Sequence, residues 1–273
     1  MSITMAPTRL ITARPAAAVV PALAQQEARR LLRHPLMMLG FAFFVGTAGV
    51  SLFTDNPATA AFSMVDAMPS FYPGVFAILA ASLTASRDHR AGSDELVAPL
   101  PGRAFERVLA LCLASVAPAL LMLIFVLLLH AGYVSQGVYV DTPNVWHLTQ
   151  GAVTVLGGCL FGVMVGTWAP TRSAALFALV LMVIANLWVN AGGGPHELFG
   201  LSMGWGQWGS PDGRVWGGLA PGSPMGHVVY LLGLCGMAAT AALLRVADRR
   251  TPVVVAGFVS VALAVAGGIG QLP

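Results

Sequence analysis

Residues 87–130 read RDHRAGSDELVAPLPGRAFERVLALCLASVAPALLMLIFVLLLH. The first half, Arg87 to Arg107, holds eight charged side chains, and the second half, Val108 to His130, holds none. Twenty-three uncharged, mostly aliphatic residues are enough to cross a bilayer core of about 30 Å as one helix. A charged segment set directly against such a run marks the edge of a membrane. Working outward, the same texture recurs along the chain of 273 residues, in which 57% are hydrophobic and 9% charged. A soluble domain carries about a quarter charged residues. Polar surface is too scarce here to coat a water-exposed globule.

Seven apolar segments qualify as spans: Leu36–Phe53, Phe71–Ser86, Val108–His130, Ala152–Trp168, Ala174–Val189, His227–Leu244 and Val253–Ile269. The second and the seventh are the weakest candidates, since their lengths give only about 24–26 Å of helix against a core of about 30 Å. Pro118 lies inside the third span, leaves the Ala114 carbonyl without its usual partner and predicts a kink there. The expected fold is an all-α polytopic transmembrane bundle of six to seven spans, one domain over residues 21–273, preceded by a flexible cytoplasmic tail over residues 1–20. Period-2 alternation is absent, which excludes a membrane β-barrel.

Orientation follows from arginine, the chain's sole basic residue apart from histidine. With the N-terminus inside, thirteen of the fourteen arginines fall in inner segments and only Arg214 falls outside. The positive-inside rule therefore predicts a cytoplasmic N-terminus and, with seven spans, an extracytoplasmic C-terminus. An arginine-only cation set fits GC-rich coding and so a bacterial cytoplasmic membrane. It also removes one function class: a P-loop needs its lysine, so the chain is not its own Walker-type ATPase.

Before the first span, "PALAQQEARRLLRHP" places Ala24, Ala28, Leu31 and Leu32 on one helical face. Arg29, Arg30 and Arg33 share the other face with Gln25 and Gln26. This pattern predicts an interfacial helix, apolar side in the acyl boundary and arginines toward anionic lipid. Within the opening stretch, Ser93 can cap a short helix whose first turn carries Asp94 and Glu95, where the dipole favours anions. "PLPG" at Pro99–Gly102 ends it, and "RAFERVLALCLA" restarts a helix leading into the third span. A short capped helix between two spans suits contact with a cytoplasmic partner better than a plain turn would.

An amphipathic helix "QQEARRLLRHP", a span, a short outer loop, a second span and then "GSDELVAPLPGRAFERVLALCLA" together resemble the type-2 class of ATP-binding-cassette (ABC) exporter permeases. The resemblance covers about Pro21 to Leu244. It implies that the first helix is a connecting helix and that the second is a coupling helix docking on a separate ATPase subunit. Arg87, Arg90, Ser93, Asp94, Glu95, Leu96 and Arg103 are the residues expected at that contact. It further implies a second permease, identical or homologous, and ATP with magnesium on the partner chain only. Family members usually have six spans, so Val253–Ile269 departs from the pattern.

In the fourth span Gly158, Gly162 and Gly166 form a small-residue row that lets another helix approach closely; packing within the subunit is favoured over an interface between subunits. The outer loop Asn190–Met225 carries Trp205, Trp208 and Trp216 among many glycines, which suggests contact with the outer headgroups. Asn186 is the most polar residue at depth and is expected in an interhelical hydrogen bond. No catalytic constellation, metal-ligand cluster or nucleic-acid-binding pattern is present. Cys112, Cys159 and Cys235 read as small core residues. The six histidines fall mostly near span ends, where capping or snorkelling accounts for them. No Asp, Glu or Arg lies inside a predicted span, which disfavours an ion-coupled carrier. The alternative from another class is an integral membrane enzyme or assembly factor whose charged loop anchors a partner.

Overall fold

Long runs rich in leucine, alanine, valine and methionine leave the backbone one way to satisfy its hydrogen bonds in lipid, the α-helix. A computed structural model describes residues 16–53, 61, 64–65, 68–92, 104–139, 142–190 and 223–272, and these are helical almost throughout. In chain order the helices are α1 (Ala16–Leu32), α2 (Pro35–Leu52), a π-turn (Ser70–Gly74) leading into α3 (Val75–Ala85), and the single turn α4 (Arg87–Arg90). There follow α5 (Ala104–Ala114), α6 (Val116–Ser135), α7 (Val145–Trp168), α8 (Arg172–Asn190), α9 (Pro224–Val246) and α10 (Arg250–Gly270).

Five helical stretches among the described residues are long and apolar enough to cross a membrane: α2, α5 with α6, α7, α9 and α10. Ser70–Ala85 and Arg172–Trp188 are apolar but shorter. The short spans are thus the second and the fifth, whereas the seventh, α10, has 21 residues and is one of the five. Phe53, Phe177, Trp188 and Phe258 all stand more than two-thirds exposed on the bundle's outside. Large apolar side chains turned outward on several helices are compatible with a membrane-spanning bundle.

Each departure from the expected boundaries has a local cause. α1 begins at Ala16, ahead of the expected tail boundary, and carries Pro21 inside it. The ring costs α1 only one hydrogen bond, to the Ala17 carbonyl. α7 begins at Val145 because Asn144 accepts from the Trp146 and His147 amides while the His147 ring accepts from the Asn144 amide. That is a capping box with histidine in the place usually held by Glu or Gln. At Pro73 the chain widens to a π-turn, in which the Val75 amide reaches the Ser70 carbonyl five residues back. The missing N–H of proline is absorbed there. Near Pro118, where a kink was expected, the helix is interrupted at the single residue Ser115 between α5 and α6, with the Ser115 hydroxyl turned back to the Leu111 carbonyl at 3.1 Å.

The core is organised around α7, whose 24 residues include five glycines. Lipid is as apolar as leucine, so helices in a bilayer associate through close packing and polar bonds rather than through water exclusion. Gly158, Gly162 and Gly166 face α3 and its leading turn so closely that a Cβ on each would strike the backbone carbonyls of Gly74, Ile78 and Ser82 respectively. The row is therefore a contact within the chain. On its other flank α7 packs on α9, and α9 in turn on α10. Gly226, Gly233 and Gly267 bring those last two helices to backbone contact.

Gly162→Leu should force α3 from α7, because the obstacle is backbone and cannot swing aside; overpacking of this kind costs about 1–3 kcal/mol. Gly46 in α2 has nothing within 4 Å of its would-be Cβ, so Gly46→Leu should leave stability unchanged. Thermal unfolding in detergent compares the two. Equal melting temperatures would show that the α3–α7 seam does not hold the bundle.

Candidate functional site at the arginine-rich end

The ends of α3, α7 and α9, the start of α5 and the length of α1 gather at one end of the bundle. This is the end toward which the arginines were predicted to point. α1 has an apolar stripe of Leu23, Ala24, Ala28, Leu31 and Leu32, and it packs chiefly on α5. Within that stripe sits an acid that the sequence reading did not place. Glu27 lies one helical turn from both Leu23 and Leu31, and it is buried.

Its partner comes from the segment after the second span. Arg87 follows α3 after Ser86, and its guanidinium donates to both carboxylate oxygens of Glu27, Nη2 to Oε1 at 2.6 Å and Nη1 to Oε2 at 2.9 Å. Two parallel N–H···O bonds make the strongest geometry open to such a pair. Arg30 adds a bond to Glu27 Oε1 at 3.0 Å, and Arg87 Nε reaches Asp88 at 3.1 Å. Burial pulls the Arg87 pKa down, but the bond and charge of Glu27, with Asp88 behind them, carry it above the usual arginine value. The Arg87 guanidinium therefore keeps its charge at any physiological pH.

Arg90 has a different task. Its Nη2 donates to the Leu83 carbonyl at 2.6 Å and its Nε to the Ser86 hydroxyl at 3.2 Å. It covers the carbonyl end of α3, where the helix dipole favours a cation. Arg87 and Arg90 were expected at a partner contact. In the structure Arg87 turns inward to Glu27 and Arg90 caps α3. Arg29, Arg30 and Arg33 are exposed; Arg29 and Arg33 point away from Glu27, whereas Arg30, three residues on, reaches back to it. His34 ends that segment by capping α2, its Nδ1 accepting from the Leu36 amide at 3.3 Å. Burial lowers the His34 pKa, which keeps the ring neutral and able to accept.

Around the ion pair opens a cleft of about 560 Å³, floored by Thr167 and Trp168 at the end of α7 and walled by Arg30, Arg87, Arg107 and Arg245. Trp168 donates its indole N–H to the Ala241 carbonyl at 2.9 Å and carries the Arg245 guanidinium 5.7 Å from its ring centre. That distance is within cation–π range. Gln26, Thr84, Asp88 and His89 add to the polar lining.

Ser93, Asp94, Glu95, Leu96 and Arg103 lie outside the described residues, as do Trp205, Trp208 and Trp216. Asn186 is fully buried, and its amide donates to the Met182 carbonyl of its own helix at 2.9 Å. Cys112, Cys159 and Cys235 are buried free thiols. Among the described residues no group of three or more His, Cys, Asp or Glu side chains could hold a metal ion. No protein-family model, curated protein or solved structure matches the chain.

Proposed function

We propose that this chain is the membrane-spanning permease subunit of an ATP-driven ABC exporter. It lines a translocation path with a second permease and draws its energy from a separate cytoplasmic ATPase subunit. In this reading the five long apolar helices and the two shorter ones all cross the bilayer, α1 lies in the inner interface, and ATP and magnesium belong to the partner.

The Glu27–Arg87 ion pair carries the proposal. It couples an amphipathic helix outside the apolar bundle to the start of the charged segment, Arg87–Arg107, between the second and third spans. A force applied to that segment from the cytoplasm then reaches α1 and α3 together, which is what a subunit powered from outside itself requires. The absence of Asp, Glu and Arg from the middle of the apolar helices supports the same choice, since ion-coupled carriers need charge at depth.

Mass spectrometry of the gently solubilised complex tests it. A co-purifying chain with a P-loop lysine motif is the expected result, and a complex lacking any nucleotide-binding chain would sink the proposal. Orientation has its own check. The native thiols are buried, so Ser135→Cys and Ser173→Cys, both at exposed helix ends, report cleanly. An impermeant maleimide on intact cells should label the first and spare the second; the reverse pattern would invert the topology.

A further inference from the structure

The arginine-walled cleft does not stand alone. Trp168 also borders an apolar groove of about 490 Å³ between α7, α8 and α9, with Met164, Phe177 and Leu181 along it. One indole thus joins a cationic chamber at the bundle end to a greasy channel running along the helices. Four guanidinium groups line the chamber against two carboxylates, Glu27 and Asp88. Glu27 is already shared by Arg87 and Arg30. Among the described residues the lining carries a net positive charge, at the level where a helix-end tryptophan seats itself among headgroups.

We infer that this composite is a binding site for one anionic phospholipid, its phosphate among Arg107, Arg245 and Arg30 and one acyl chain along Phe177 and Leu181. Basic pockets between helices at the inner face are the setting in which anionic headgroups are held. The apolar extension selects a lipid over free phosphate, because a soluble anion would leave the groove without an occupant. The site is independent of the ATPase partnership: it needs only a bundle that sits in a membrane.

The test is native mass spectrometry of the purified full-length protein, titrated with phosphatidylglycerol or phosphatidylcholine. Phosphatidylglycerol should bind at least tenfold more tightly. Arg107→Gln/Arg245→Gln should weaken it by about 25-fold, at about 1 kcal/mol or fivefold per arginine, without changing the weak phosphatidylcholine binding. Arg250→Gln, outside the cleft, should change neither. Trp168→Ala should weaken both lipids, since it opens the junction of chamber and groove. Inorganic phosphate, matched for ionic strength with chloride, should fail to displace the bound phosphatidylglycerol; displacement at millimolar phosphate would mean an anion site and overturn the lipid assignment. Equal affinity of wild-type protein for the two lipids would overturn it as well, whatever the fate of the variants. So would a folded arginine double variant that keeps its phosphatidylglycerol affinity.

Discussion

Glu27→Gln should lower the unfolding free energy of the detergent-solubilised protein by about 1–3 kcal/mol. Removing one member of a fully buried ion pair costs about 3–5 kcal/mol, because the other charge is stranded. Here the Glu27 side chain is only 7% exposed, while that of Arg87 keeps 37% of its surface and Asp88 beside it, so solvent and the neighbouring acid screen part of the loss. Glutamine preserves shape and one acceptor, which isolates the charge. Arg87→Met should cost less, since Glu27 retains Arg30. The decisive quantity is the coupling in the double variant: about 1–2 kcal/mol less destabilised than the two singles added together. Singles that add within about 0.5 kcal/mol would show the two residues to be independent. α1 would then be a passive anchor, and the force path from the charged segment would lose its link.

Asp94→Arg/Glu95→Arg should abolish co-purification with the ATPase and ATP-dependent transport, while the protein inserts and folds normally. Charge-assisted pairs at a partly buried interface lose about 2–5 kcal/mol when one partner is truncated. That corresponds to a roughly 30- to several-thousand-fold weaker complex. Reversal adds repulsion and opposes the dipole of the helix these residues were predicted to start. If the segment were only a solvated loop, the substitutions would shift stability by less than about 0.5 kcal/mol and leave the complex intact. Full ATPase binding and full transport by the double variant would remove Asp94 and Glu95 from the mechanism.

The apolar runs were plain in the sequence because lipid leaves the backbone no alternative to the helix over such stretches. So was an irregularity beside Pro118, which acts through a local rule that needs no partner and shows as the one-residue interruption at Ser115. The glycine row of α7 announced a close approach, but not that α3 would make it; which helix fills a bare face depends on the whole bundle. The start of α7 escaped because its capping box uses His147, a residue whose ring is seldom counted as a cap. Glu27 escaped for a different reason. Its position on the apolar face of α1 follows from helical spacing alone, four residues from Leu23 and from Leu31. What makes the position meaningful is Arg87, sixty residues away, and no periodicity reaches that far. The cleft at Trp168 was invisible for the same reason: it is assembled from six helices.

The glycine seam between α3 and α7 has a mechanical corollary. A joint made of backbone against backbone has no rotamers to reshuffle and hence no second way to fit. It works as a weld. Arg87 emerges just beyond the end of α3, so a load taken up there would pass through this seam to α7. Any change of shape must then be made elsewhere, where side chains can slide. α8, which touches α3 and α7 only lightly, is the part with that freedom.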